Sequence, residues 1–329
     1  MPSNFTDLPG FGDVRTAAER LRGRAAETPL LETPALNRRL GFRLFVKAES
    51  LQRTGSFKFR GAFNRISHLD ETERRRGVVA FSSGNHAQGV AHAAALLGVP
   101  ATIVMPADAP AIKIANTRAF GAEIRLYDRA RESREDIAAQ IAAERGAILV
   151  KPYDDPLVIA GQGTVALEAI GQAQRVGVTF DAFVAPASGG GLIAGCALAC
   201  KALSPATLIY TAEPETLDDH ARSLAAGHRL ANPPGATSIC DALLGPIPGE
   251  VTWEINRTRL AGGLVASDSE VKQAMKTAFQ ELKLVLEPGG AVALAVALAG
   301  RIPGESRAVC VVASGGNVDP GLFSEILAG

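Results

Sequence analysis

Between residues 77 and 153 short apolar runs alternate with longer segments of helical period. Val78–Ser82, Ala101–Met105, Glu123–Tyr127 and Ala147–Val150 read as strands, and the stretches between them as helices. A second alternation runs from Phe183 through Leu208–Ala212 to Val309–Ala313. Strands that alternate with helices in this way predict an α/β protein with parallel sheets. The interleaving predicts a small lobe, residues 77–153, inserted in a large lobe built from 1–76 plus 154–329. The boundary is expected near Lys151-Pro152.

Three of the apolar runs lead into turns rich in glycine and serine. Ser82-Ser83-Gly84-Asn85-His86 follows Val78-Val79-Ala80-Phe81, Ser188-Gly189-Gly190-Gly191-Leu192 follows Phe183-Val184-Ala185, and Ser314-Gly315-Gly316-Asn317 follows Val309-Cys310-Val311-Val312. Each reads as strand, turn, helix. In parallel sheets such turns gather at the carboxyl edge, where ligands bind, and helix N-termini with bare glycine amides suit phosphate.

A lysine supplies the candidate chemistry. In Ser56-Phe57-Lys58-Phe59-Arg60-Gly61 the ammonium stands between two phenylalanines. Desolvation there disfavours its charged form and makes the amine usable as a nucleophile. An amine of this kind condenses with an aldehyde, and pyridoxal phosphate is the commonest such aldehyde in enzymes. The plain alternative is a lysine snorkelling past phenylalanine at a helix start. The glycine loop has a rival reading too. Gly189-x-Gly191-x-x-Ala194 fits a dinucleotide fingerprint, with Glu213 placed where a ribose-binding acid would sit. A nicotinamide oxidoreductase would have no use for the Lys58 segment or the Ser314 turn.

Composition narrows the field. The 329 residues are enough for two lobes, and 34 basic and 34 acidic residues leave no basic excess for nucleic acid or a membrane surface. The apolar run Ala291–Ala299 is too short to span a bilayer, and Met1-Pro2-Ser3-Asn4-Phe5 has none of the features of a signal peptide. Four cysteines without a CxxC or Cys/His cluster read as buried free thiols in a reducing cytoplasm. No repeat or low-complexity segment interrupts the chain.

Ser56-Phe57-Lys58 with Arg60-Gly61-Ala62, Ser83-Gly84-Asn85-His86, the triple glycine and Ser314-Gly315-Gly316-Asn317 resemble the serine/threonine dehydratase and serine racemase family, which includes 3-hydroxyaspartate dehydratases. The motifs keep the family's order from about Thr28 to Asp319. The resemblance implies fold-type II of the pyridoxal-phosphate enzymes: two open, twisted, mostly parallel sheets flanked by helices. It also implies site residues. Phe57, Lys58, Asn85, Ser188, Gly189, Gly190, Gly191, Leu192 and Ser314 would meet the cofactor. Asn85 is placed at the ring hydroxyl and Ser314 at the pyridine nitrogen. Ser82, Ser83, His86 and Arg134 would face the substrate, with Ser83 on the ring face opposite Lys58 and with His86 as a hydrogen-bonding residue.

A neutral hydroxyl at the pyridine nitrogen leaves the ring a weaker electron sink than a carboxylate would. That favours β-elimination over transamination. Glu213, Leu217 and Asp219 have the spacing of the serine racemase divalent-cation site, for Mg²⁺ (or Ca²⁺ or Mn²⁺); without the resemblance the same loop reads as solvated surface. Arg134, in Arg131-Glu132-Ser133-Arg134-Glu135-Asp136, either faces solvent or meets a second carboxylate on the ligand. The expected activity is dehydration of serine, threonine or 3-hydroxyaspartate to a keto acid and ammonia, by a cytoplasmic homodimer. Serine racemase is the alternative within the family. The chain ends soon after Asp319, so the regulatory domain of long threonine deaminases is not expected.

Overall fold

The computed structural model describes residues 8–82, 84–109 and 111–329. Among the described residues there are ten strands: β1 (Leu30–Glu32), β2 (Arg43–Ala48), β3 (Val78–Phe81), β4 (Ala101–Pro106), β5 (Glu123–Tyr127), β6 (Ile148–Leu149), β7 (Ala182–Pro186), β8 (Leu208–Pro214), β9 (Gly262–Ala266) and β10 (Ala308–Ala313). They form two sheets. One has six strands in the order β1-β2-β10-β7-β8-β9, the other four in the order β5-β4-β3-β6. Every pair is parallel except β1 with β2. The fold is α/β with two mostly parallel sheets, as expected.

The centre of the larger sheet shows why its strands are apolar throughout. On β10, Val309, Val311 and Ala313 enter one hydrophobic cluster while Ala308, Cys310 and Val312 enter another on the opposite face. β7 divides in the same way, Val184 to the first and Phe183 to the second. A parallel strand covered on both faces has no polar side to show. The apolar run ending at Ala299 belongs to this core as the buried helix Pro288–Leu298. Among the described residues no helix is long and apolar enough to cross a membrane, and all four cysteines are free and buried.

Helix Lys58–Ser67 joins the two sheets. Its Phe59, Ala62, Phe63 and Ile66 pack with Val78 and Ala80 of β3 and with Val90 of helix Asn85–Leu97. Its Arg60 points the other way, into a buried ionic network. The guanidinium donates to both oxygens of Glu49 at 2.8 Å and to Glu168 at 2.7 and 2.8 Å. Lys47 Nζ reaches the same Glu168 at 2.8 Å and the Thr28 carbonyl at 2.6 Å. Lys47, Glu49 and Arg60 have no solvent exposure. The charges balance, and nearly every donor has an acceptor, which such burial requires. This anchorage fixes the helix whose first residue is Lys58.

Candidate active site

Lys58 begins its helix at the wall of a cavity of about 530 Å³. Its Nζ donates to the Pro152 carbonyl at 2.8 Å and lies 5.2 Å from the Phe57 ring centre. Burial of the ammonium lowers its pKa to about 8. The segment before it is tied to the Ser314 turn. Phe57 N donates to the Ser314 carbonyl at 3.1 Å, and Ser56 bridges Gly315. Lys58 and Ser314 are thus held in one register. Ser314 lines the cavity, and its hydroxyl takes no protein partner among the described residues.

The Ser188–Leu192 loop joins β7 to helix Gly191–Leu203. Its first three carbonyls are engaged away from the cavity. Ser188 O accepts from His220 Nε2 at 2.7 Å, Gly189 O from Thr252 Oγ1 at 2.6 Å, and Gly190 O from Ala194 N at 2.9 Å. The amides of Gly189, Gly190, Gly191 and Leu192 donate to no acceptor among the described residues. Those bare donors at a helix N-terminus make a cradle for an anion. Two glycines are compulsory. Gly190 has φ +88°, and a Cβ there would stand 2.6 Å from the His220 ring; one on Gly189 would collide with the Tyr153 ring. The open amides, the desolvated lysine and the free Ser314 hydroxyl suit the phosphate, aldehyde and ring nitrogen of pyridoxal phosphate.

The turn after β3 faces this loop from the four-stranded sheet. Ser82, Asn85 and His86 line the cavity; Ser83 lies outside the described residues. Asn85 Nδ2 donates to Glu287 and its Oδ1 accepts from Asn317 Nδ2 at 2.7 Å, so one amide proton is left for a ligand. His86 is buried, with Nε2 donating to the Val150 carbonyl at 2.9 Å. Burial, reinforced by the Lys58 charge, holds its pKa at about 3, so the ring is neutral. Its Nδ1 has no protein partner among the described residues. Arg134 opens helix Arg134–Arg145 behind the Ser133 cap and is half-buried in the cavity wall. Its guanidinium stands 5.4 Å from the Phe81 ring centre, and Nε donates to Glu135 at 2.8 Å. The two Nη groups make no hydrogen bond among the described residues.

Glu287 was not foreseen. It lines the cavity, almost fully buried, and burial raises its pKa to about 7 despite the Asn85 bond. The available signal was a single acid inside the apolar stretch from Leu282 to Ala299, just before a proline that starts a helix. Tyr153, against the glycine loop, and Lys113, beside the Ser82–Asn85 turn, were missed for another reason. Nothing local in the sequence marks them, and only the folded chain brings them to the cavity.

Glu213, Leu217 and Asp219 lie apart from the cavity wall. They are not the solvated loop that the sequence alone suggests, for all three are buried. Glu213 accepts from the His220 and Ala221 amides, both at 2.8 Å. That occupies the acid with a helix start, so it cannot bind a ribose, and the dinucleotide reading of the glycine loop fails. Asp219 Oδ1 accepts from Asn232 at 2.8 Å, while Oδ2 is buried without a partner among the described residues. Burial raises both carboxyl pKa values, that of Asp219 to about 6, and their mutual repulsion raises Glu213 further. Among the described residues no three His, Cys, Asp or Glu side chains cluster, so a cation here would depend on two carboxylates and a carbonyl.

Fold and cavity together are those of an enzyme that works through a pyridoxal cofactor. Residues 21–315 match the pyridoxal-phosphate dependent enzymes, and the chain belongs to that family. It is 44% identical to the L-threo-3-hydroxyaspartate ammonia-lyase of a Pseudomonas species, over 98% of this chain and 99% of the other. It is 41% identical to a serine racemase of Oryza sativa subsp. indica, over 95% and 92%. The crystal structure of T.th. threonine deaminase superposes with a TM-score of 0.88 at 45% identity, covering 94% of this chain and 99% of that one.

Proposed function

We propose that this protein is an ammonia-lyase that dehydrates 3-hydroxyaspartate to a keto dicarboxylate and ammonia. Serine and threonine would be slower substrates. The observation that carries the substrate choice is Arg134, which lines the cavity and whose Nη groups have no acceptor among the described residues. A distal carboxylate would satisfy them, whereas threonine offers a methyl group there. The similarity to 3-hydroxyaspartate ammonia-lyases supports the same choice.

When bound, pyridoxal phosphate supplies the electron sink that labilises the Cα–H bond and lets the β-hydroxyl leave. The bare amides of Gly189–Leu192 would hold its phosphate, and the Ser314 hydroxyl would serve the ring nitrogen as a neutral partner that fixes no positive charge. Asn85 spends its remaining amide proton on the ring hydroxyl. Lys58 would carry the cofactor, and its free amine, with a pKa of about 8, would serve as the base that takes the Cα proton. The β-hydroxyl leaves with a proton as water. The enamine product is released, and its hydrolysis gives the keto acid and ammonia. Ser83 is the proposed acid-base group on the opposite face, and a protonation there would yield racemised substrate instead.

Glu213, Asp219 and the Leu217 carbonyl are proposed to hold Mg²⁺ or a similar hard cation, which would give the orphaned Asp219 Oδ2 a partner. We also propose that residues 77–153 act as a small lobe against 1–76 plus 154–329. The assembly proposed is a homodimer in the cytoplasm, where four unpaired thiols are at home.

The test measures keto acid and ammonia from serine, threonine and the 3-hydroxyaspartate isomers, with wild type and Arg134→Ala. A charge-assisted contact contributes roughly 1.5–3 kcal/mol, so kcat/KM for hydroxyaspartate should fall about 10- to 150-fold and that for serine far less. Equal losses for the two substrates would reject Arg134 as the carboxylate receptor.

A further inference from the structure

One ion pair crosses the mouth of the cavity. Lys113, on helix Ala111–Ala119, donates to Asp241 Oδ2 at 2.8 Å, and Asp241 opens the 3-10 turn Asp241–Leu243. Among the described residues no other ion pair links residues 78–149, which contain the four-stranded sheet, to the rest of the chain. Lys113 Nζ lies 3.8 Å from where a Cβ on Gly84 would stand, so the ammonium rests on the turn that carries Asn85. On the other side, the Asp241 turn packs against Gly289, two residues after the Glu287 that holds Asn85. The ion pair and the Asn85–Glu287 bond therefore span one gap in parallel.

Burial is unequal across the pair. The Lys113 side chain is 13% exposed and that of Asp241 55%. A pair open to water on one side is weak and is screened by salt, so it breaks and re-forms readily. We propose that the Lys113–Asp241 pair is a latch: it closes the cavity beside the Gly84–Asn85 turn, opposite Lys58. Substrate entry and product release break it. This inference rests on the lyase reading above, because it assumes a cofactor held at Lys58.

Borohydride must pass the same mouth to reduce the cofactor linkage, so its rate of reaction with the holoenzyme reports how open the mouth is. Lys113→Met and Asp241→Asn should each speed reduction about two- to five-fold, the worth of a half-exposed pair. KM should rise by a similar factor while kcat holds or increases, since release no longer has to break the contact. Salt at about 0.5 M, where the Debye length is roughly 4 Å, should speed reduction of wild type and leave both variants unchanged. The double variant Lys113→Asp, Asp241→Lys should return reduction and KM toward wild type.

Hydrogen exchange at the amides of Asn85–Leu97 gives a readout independent of the cofactor. It should quicken in both single variants and slow again in the swapped one. Single variants that are reduced and exchanged at wild-type rates would overturn the inference. So would a fall in kcat at constant KM, or an effect of Lys113→Met that neither Asp241→Asn nor the swap shares. A wild-type protein with no reducible linkage defeats the cofactor reading instead, and exchange still decides whether the pair closes the mouth.

Discussion

In the proposed role Lys58 must be an uncharged amine both to take up the cofactor and to act as a base, and a pKa of about 8 keeps that form accessible near neutrality. Lys58→Ala should abolish elimination and remove reductive labelling at position 58; labelling at another lysine would show that the cofactor is carried elsewhere. This residue could be read from sequence through its motif, although Phe57 alone of the two flanking phenylalanines lies against its Nζ; Phe59 turns into the core beside β3, and Pro152 comes from a distant segment. Glu287 left only the hint of a lone acid before Pro288, because its partner Asn85 comes from a distant part of the chain. Its raised pKa has a definite consequence. Between about pH 4.5 and 7 the folded protein holds a proton that the unfolded chain has lost, so stability falls as pH rises through that window. Above pH 7 the full cost is present, on the order of 3 kcal/mol. In cofactor-free protein, Glu287→Gln should remove this slope and gain most over wild type at pH 8. Urea midpoints at pH 5 and pH 8 measure it, and an equal difference at both would mean that Glu287 ionises normally.

The proposed phosphate contacts of the glycine loop are backbone amides, so bulk should matter more there than side-chain chemistry. Gly190→Val forces a β-branched residue to φ +88° and drives its Cβ into His220. Cofactor affinity should drop at least about 10-fold, the effect of about 1.4 kcal/mol. Ser188→Ala loses only the hydroxyl that accepts from Gly245 N, at a cost of about 1 kcal/mol to the loop's brace. Titration of each apo variant with cofactor ranks them, and the reverse order would transfer the phosphate to the serine hydroxyl. Loops of this kind announce themselves because strand, turn and helix follow one another in sequence. The strands β3, β4, β5, β6, β7, β8 and β10 did so through their strand-like runs. β1, β2 and β9 did not. β2 contains Lys47, whose burial depends on Glu168 far along the chain, and β9 opens with two glycines that carry little strand preference.

At the scale of the whole molecule, the proposed cation would link its site to global stability. A ligand that binds only the folded form at about a hundred times its Kd adds about 2.7 kcal/mol. Chelator should therefore lower the Tm, and Mg²⁺ should restore it in wild type while leaving Asp219→Ala unmoved. An Asp219→Ala protein that still responds to Mg²⁺ would put the ion elsewhere. The sequence carried the spacing of these residues, but only the fold reveals that Asp219 Oδ2 is buried and without a partner among the described residues.

The ionic network beneath the Lys58 helix bears on how this sequence can change over generations. Lys47, Glu49, Arg60 and Glu168 supply two positive and two negative charges to a common enclosed space. Losing any one strands its counterpart, at about 3–5 kcal/mol, a large share of the roughly 5–15 kcal/mol that keeps a domain folded. Single steps at these positions are therefore close to lethal, while a paired replacement by apolar residues of similar volume is tolerable. The four sites should therefore change as a unit, and substitutions at Glu49 and Arg60 in descendant lineages should be found together or not at all.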